Sequence, residues 1–129
     1  MTDTKTKIFL VDDDRFLLDM YAVKFQKSGL EVETANGSSV ALQRLREGYT
    51  PDIILLDIIM PTMDGLALLE IIRAEKLAST SAIIMLTNQA DDEEKAEQLG
   101  IDGFIIKAMT IPSEVVTKVL EIYNTRKKI

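Results

Sequence analysis

A chain of 129 residues, 47% apolar and 28% charged, has the length and composition of one globular domain with a real hydrophobic core. It has no cysteine and no histidine, which excludes disulfide frameworks, thiolate or imidazole zinc sites, and every triad with an imidazole base. A net charge of −6 argues against a direct nucleic-acid or anionic-membrane surface.

The N-terminal "MTDTKTK" is polar, with no apolar signal region behind it. No apolar stretch approaches the roughly 20 residues a membrane span requires, so a soluble, cytoplasmic protein is expected. Residues 7–12 (KIFLVD) read as a first strand that ends on the acidic run Asp12, Asp13 and Asp14. In 15–28, Leu18, Tyr21, Ala22 and Phe25 recur at three- and four-residue spacing, a helix that Gly29 stops. Segment 31–35 (EVETA) alternates Val32 and Thr34 with glutamates, which suits a less buried edge strand. A second helix, 38–47, has Ser38 or Ser39 as cap, Ala41, Leu42 and Leu45 facing inward, and Gly48 at its end.

The third strand, 52–57 (DIILLD), is a continuous apolar run that ends on Asp57. Pro61 and the Asp64-Gly65 pair are turn chemistry leading into a helix over 65–76, with Leu68, Leu69, Ile71 and Ile72 on its apolar side. Residues 82–87 (AIIMLT) form a fourth strand closing on Thr87. The helix expected over 91–99 has only Ala96 and Leu99 as apolar residues, so it should be the least anchored of the five. A fifth strand, 103–106 (GFII), precedes Lys107, and a helix over 112–125 carries Val116, Val119, Leu120 and Tyr123. The terminal "TRKKI" places favourable positive charge at that helix's C-terminus.

Continuous apolar runs suit strands buried on both faces of a parallel sheet, although periodicity alone also permits buried helix. Five βα units in strict alternation imply right-handed crossovers and helices on both sides of the sheet. One domain over 1–129 is expected, with its core at about 6–125 and no output domain.

Ligands of an open parallel sheet bind beyond the carboxyl ends of the strands. The reading above sends Asp12, Asp13, Asp14, Asp57, Thr87 and Lys107 to that one edge. Singly, each has a plainer explanation: Asp13 or Asp14 as a helix N-cap, Thr87 as β-propensity, Lys107 as surface charge. Their conjunction favours a site. Clustered carboxylates repel one another unless a cation joins them, and oxygen ligands alone suit Mg²⁺, Mn²⁺ or Ca²⁺. A magnesium site of one or two carboxylates, water and a phosphate oxygen fits this inventory, with Lys107 and Thr87 holding the remaining phosphoryl oxygens. Asp57 would then accept the phosphoryl group as nucleophile.

The motifs "FLVDDD", "DIILLDIIMPTMDG", "IIMLTN" and "GFIIK" stand in an order and spacing that resemble the receiver domain of bacterial two-component response regulators, over nearly the whole chain. The resemblance implies a flavodoxin-like (βα)5 fold, a doubly wound parallel five-stranded sheet of order 2-1-3-4-5. It implies Asp57 as phosphoacceptor, supplied by a histidine kinase or histidine phosphotransfer protein. Asp12 and Asp13 match the acidic pair that positions Mg²⁺ (Mn²⁺ in its place), together with Asp57 and the Ile59 backbone carbonyl. Thr87 matches the switch hydroxyl, Lys107 the phosphate-binding lysine and Phe104 the switch aromatic. It also implies a signalling domain that catalyses its own phosphorylation and dephosphorylation. Its output would pass through the face of the fourth helix, fifth strand and fifth helix (α4-β5-α5) to a protein partner or a homodimer.

Four positions depart from or tune that pattern. Ala108 follows Lys107 where the family usually has a proline in a cis peptide, so the loop is expected to be either trans and rearranged or cis and strained. Asn88 replaces the usual small residue and is expected to narrow access to Asp57. Ile59 and Gln89 flank the acceptor; Ile59 has no group to orient an attacking water, so slow autodephosphorylation is expected. Two readings compete: a receiver fold used as a phosphorylation-independent scaffold, and a flavin or nucleotide enzyme. Against the latter, the chain carries no GxxxxGK or GxGxxG motif.

Overall fold

In the computed structural model, which describes residues 5–127, the chain runs β1 (Lys7–Asp12), α1 (Arg15–Lys27), β2 (Glu31–Asn36), α2 (Ser38–Arg46), β3 (Ile53–Leu56), α3 (Gly65–Ala74), β4 (Ala82–Thr87), α4 (Glu93–Leu99), β5 (Gly103–Ile106) and α5 (Pro112–Lys127). Short 3₁₀ turns, Ala90–Asp92 and Lys107–Met109, precede α4 and α5. The last two residues of the basic tail lie outside the described residues. The strands form one sheet of order β2-β1-β3-β4-β5 in which every pair is parallel. Among the described residues no helix is long and apolar enough to cross a membrane.

The apolar runs occupy the middle of the sheet because helices cover both of its faces. Ile8, Leu10, Ile53, Leu55, Ile84 and Leu86 pack on the α1 and α5 side, with Leu18, Phe25, Val116 and Val119. Phe9, Val11, Ile54, Leu56, Ile83 and Met85 pack on the other side against α2 and α3, with Leu45, Leu68, Leu69 and Ile72. Alternation along each strand therefore splits one apolar run between two cores. Each fully buried aliphatic side chain contributes about 1.5–3 kcal/mol, which makes the sheet a stiff platform for whatever its carboxyl edge carries.

Edges and ends depart from the expected pattern for local reasons. In β2, Thr34 is exposed and Ala35 is the buried residue, because the edge strand leans only its small Ala35 onto the α2 side. Neither Ser38 nor Ser39 caps α2: Gly37 is the N-cap at φ +109°, and Ser38 is itself buried inside the helix. A residue other than glycine would be strained there. Asp14, not Asp13, caps α1, its Oδ1 accepting from Leu17 N at 3.1 Å. Asp52 and Asp57 flank β3 instead of belonging to it, and Asp52 Oδ2 accepts from Lys7 N at 2.8 Å.

Ala96 is the buried residue of α4, as its composition implied. A second tether comes from α3, where the Arg73 guanidinium donates to the carbonyls of Leu99 (3.3 Å) and Gly100. These are the open carbonyls at the end of α4, which a cation satisfies well.

Beneath the sheet, Tyr49 stands edge-on to Phe9 with ring centroids 5.2 Å apart, while the Arg44 guanidinium carbon lies 5.0 Å from its ring centre. Its hydroxyl is buried without a hydrogen-bond partner. Burial, reinforced by Glu33, pushes the phenol pKa from 10.0 up to about 12. A raised folded-state pKa stabilises fully below the unfolded value, and that stabilisation is lost as pH climbs through the folded one. Urea unfolding of Tyr49→Phe should therefore match the parent at neutral pH to within about 1 kcal/mol, since no hydrogen bond is lost. Between pH 10 and 12 the variant should lose less stability than the parent.

Candidate functional site

Four of the five strand ends deliver a group to the carboxyl edge. β1 ends on Asp12 (6% exposed), Asp57 (7%) follows β3, Thr87 (0%) closes β4, and Lys107 follows β5. Asp13 is exposed beside them, and carboxylate oxygens of Asp12, Asp13 and Asp57 all lie within 4.8 Å of one another.

Backbone groups hold two of these carboxylates in place. Asp12 Oδ1 accepts from Asp14 N (2.9 Å) and Asp57 Oδ1 from Ile58 N (2.7 Å). Asp57 N in turn donates to Val11 O at 3.1 Å, continuing the β1–β3 ladder one residue past β3. The two Oδ2 atoms share one cation: Lys107 Nζ donates to Asp12 at 2.6 Å and to Asp57 at 3.0 Å. Burial works against the ammonium, but its hydrogen bond to Asp12 and the charges of both carboxylates outweigh it and hold the Lys107 pKa above its ordinary value. The side chain is about one-tenth exposed, so this pair is far less screened than a surface ion pair.

Beneath the carboxylates lies a cavity of about 10 Å³, walled by Leu10, Leu18, Tyr21, Leu55 and Leu86. That is scarcely room for one water, and its walls are apolar, so the charges above sit on a dry floor. On the far side the loop after Asp57 is held close. Gly65 N donates to Ile58 O at 2.7 Å, and a Cβ at Gly65 would collide with the Asp57 carbonyl. Asp64 caps α3, accepting from Ala67 N at 2.8 Å, so "MPTMDG" is loop-shaping chemistry.

The neighbouring loops sort the remaining candidates. Thr87 Oγ1 accepts from Gln89 N at 3.2 Å, and Gln89 is half-buried. Ile59 projects into solvent at 55% exposure, two residues past Asp57. Phe104 is half-buried on the side of the sheet that carries α4. The Lys107–Ala108 peptide is trans, and the segment winds into the 3₁₀ turn Lys107–Met109, which settles the geometry left open by the missing proline. The Asn88 side chain is exposed, and its Oδ1 accepts from Ala108 N at 2.8 Å. Sequence reasoning missed that contact, and the cavity lining of Tyr21 with it.

Three carboxylates thus converge where one ammonium is present, and that ammonium reaches only two of them. A hard divalent cation fits those oxygen donors.

Comparison with known proteins identifies the family. The family model of the response regulator receiver domain matches residues 8–120. The chain is 36% identical over 104 residues to the CpxR homolog of Haemophilus influenzae, a transcriptional regulatory protein, covering 79% of this chain and 44% of that one. It is 31% identical over 121 residues to the DNA-binding response regulator MtrA of Mycolicibacterium smegmatis, covering 92% and 51%. The chain thus spans about half the length of the curated relatives it matches. Among solved structures it superposes on a CheY-like receiver domain protein of Methanospirillum hungatei with TM-score 0.86, 29% identity, and coverage of 97% and 98%. The response regulator TrrA of Thermotoga maritima, solved with Mg²⁺-BeF, gives TM-score 0.77 and 27% identity, with coverage of 91% and 98%. The chain belongs to the response regulator receiver domains of two-component systems.

Proposed function

We propose that Asp57 accepts a phosphoryl group from the phosphohistidine of a histidine kinase or histidine phosphotransfer protein. The observation that carries this is the Lys107 ammonium bound to both Asp12 and Asp57 at the carboxyl edge of the sheet. A carboxylate oxygen of Asp57 forms the new P–O bond as the donor's P–N bond breaks, and the departing imidazole takes up a proton. Asp12, Asp13, Asp57 and the Ile59 carbonyl would hold Mg²⁺, which when bound supplies charge stabilisation to the transferring phosphoryl oxygens. Lys107, already on Asp57, keeps its charge throughout the neutral range and stays with the phosphoryl group as its counter-ion.

The acyl phosphate adds about one negative charge and new acceptor oxygens, by analogy with hydroxyl phosphorylation. Thr87 would exchange its bond from Gln89 N for a bond to one of those oxygens, freeing space for Phe104 to turn inward. α4, tethered by Ala96 and by Arg73, is the element with least to resist that change. The output would pass through the α4-β5-α5 face to a protein partner or a second copy of the chain. Phe16 (73% exposed), Ile59, Met109 (81%) and Ile111 (61%) sit on loops and helix starts around the acidic site. They offer an apolar rim against which the donor protein would seat its histidine. A histidine-kinase donor implies a cytoplasmic setting.

Incubation with a small phosphodonor and Mg²⁺ should give a phosphoryl mass shift on the parent and none on Asp57→Asn. No shift, with a cognate kinase failing as well, would favour the scaffold reading. Ile59→Asn puts a water-orienting amide beside the acceptor. It should speed phosphate release about tenfold, below the usual range for general acid–base help; an unchanged rate in a phosphate-release assay would remove Ile59 as the timer.

A further inference from the structure

The family's usual proline would set φ after the lysine and carry no N–H; Ala108 does neither. Its N–H stands at the start of the 3₁₀ turn Lys107–Met109, where helical turns leave donors open. Asn88 supplies the acceptor, Oδ1 to N at 2.8 Å, from the loop after β4. The Lys107 main chain is otherwise held by the β4–β5 ladder, where Ile106 pairs with Thr87, and by Thr110 N donating to Lys107 O at 3.3 Å. The ammonium reaches Asp12 and Asp57 from the end of a four-carbon stem, so a small shift of the Lys107 backbone displaces it from both.

We propose that Asn88 is a positioning residue that acts through Lys107: its side-chain amide takes over the fixing role of the absent proline. Asn88 is also the residue next to Thr87. The hydrogen bond therefore couples the hydroxyl and the ammonium that would share the phosphoryl oxygens, so that displacement of one strand end is felt at the other. The consequence for phosphoryl binding rests on the function proposed above; the positioning does not.

Asn88 and Ala108 are both exposed, so Asn88→Ala should fold normally. In the metal-free full chain, amide exchange at Ala108 should speed about fivefold in Asn88→Ala, the loss expected for one net hydrogen bond. Asn88→Asp keeps an oxygen at the same reach and should restore slow exchange. Lys107 competes with a cation for Asp12 and Asp57, so a loosened Lys107 yields the carboxylates more readily. Asn88→Ala should then bind Mg²⁺ about two- to threefold more tightly with Lys107 present, and no differently in a Lys107→Ala background. Unchanged exchange at Ala108, or a Mg²⁺ shift that is absent or equal in both backgrounds, overturns the assignment. Neither readout needs phosphoryl transfer, so a failure of Asp57 to accept a phosphoryl group would count against the proposed function alone.

Discussion

Like-charge repulsion at the end of a parallel sheet is the constraint around which this molecule is arranged. Two nearly buried carboxylates, with a third exposed beside them, repel one another at such distances unless positive charge joins them. The chain answers with one ammonium from the opposite half of the sheet, which links the ends of β1, β3 and β5. Burial of the strands behind that edge keeps the carboxylates from drifting apart to relieve the repulsion. Stiffness below and clustered carboxylates above give the edge a fixed set of oxygen donors, the kind that suits a hard divalent cation.

The fold was legible wherever the apolar pattern was unambiguous. Runs such as Ile53–Leu56 and the stretch from Ala82 to Leu86 have no polar residue to spare for an outer face, so they had to lie between two layers of helix. The site was legible for a related reason: Asp57 is an acid in an apolar run, and such a residue stands out only where the run reaches the surface. Ends and edges were less readable. Ser38 and Asp13 are good capping residues by type, yet the backbone gave the caps to Gly37 and Asp14, because a cap is decided by φ and ψ one residue at a time. Thr34 is exposed and Ala35 buried because an edge strand meets only a small part of each core.

Contacts between loops far apart in sequence were out of reach. Nothing local to Asn88 says that its amide will meet the N–H of Ala108, twenty residues on. The same holds for Arg73 at the end of α4. Such contacts depend on which strands become neighbours, and each strengthens the part of the molecule with the least apolar packing. Polar bonds here do late work: they adjust loops and α4 after burial has built the sheet.

The absence of any side chain at Gly65 has a directional consequence. Its backbone lies so close to the Asp57 carbonyl that the Asp57 main chain has no room to recede toward α3. The floor offers little space either, since its cavity scarcely admits a water. Asp57 is thus backed on two sides, and what freedom it has lies toward the open carboxyl edge and the loops after β4 and β5. On the function proposed above, a group added at Asp57 would press on the loops that carry Thr87, Asn88 and Lys107.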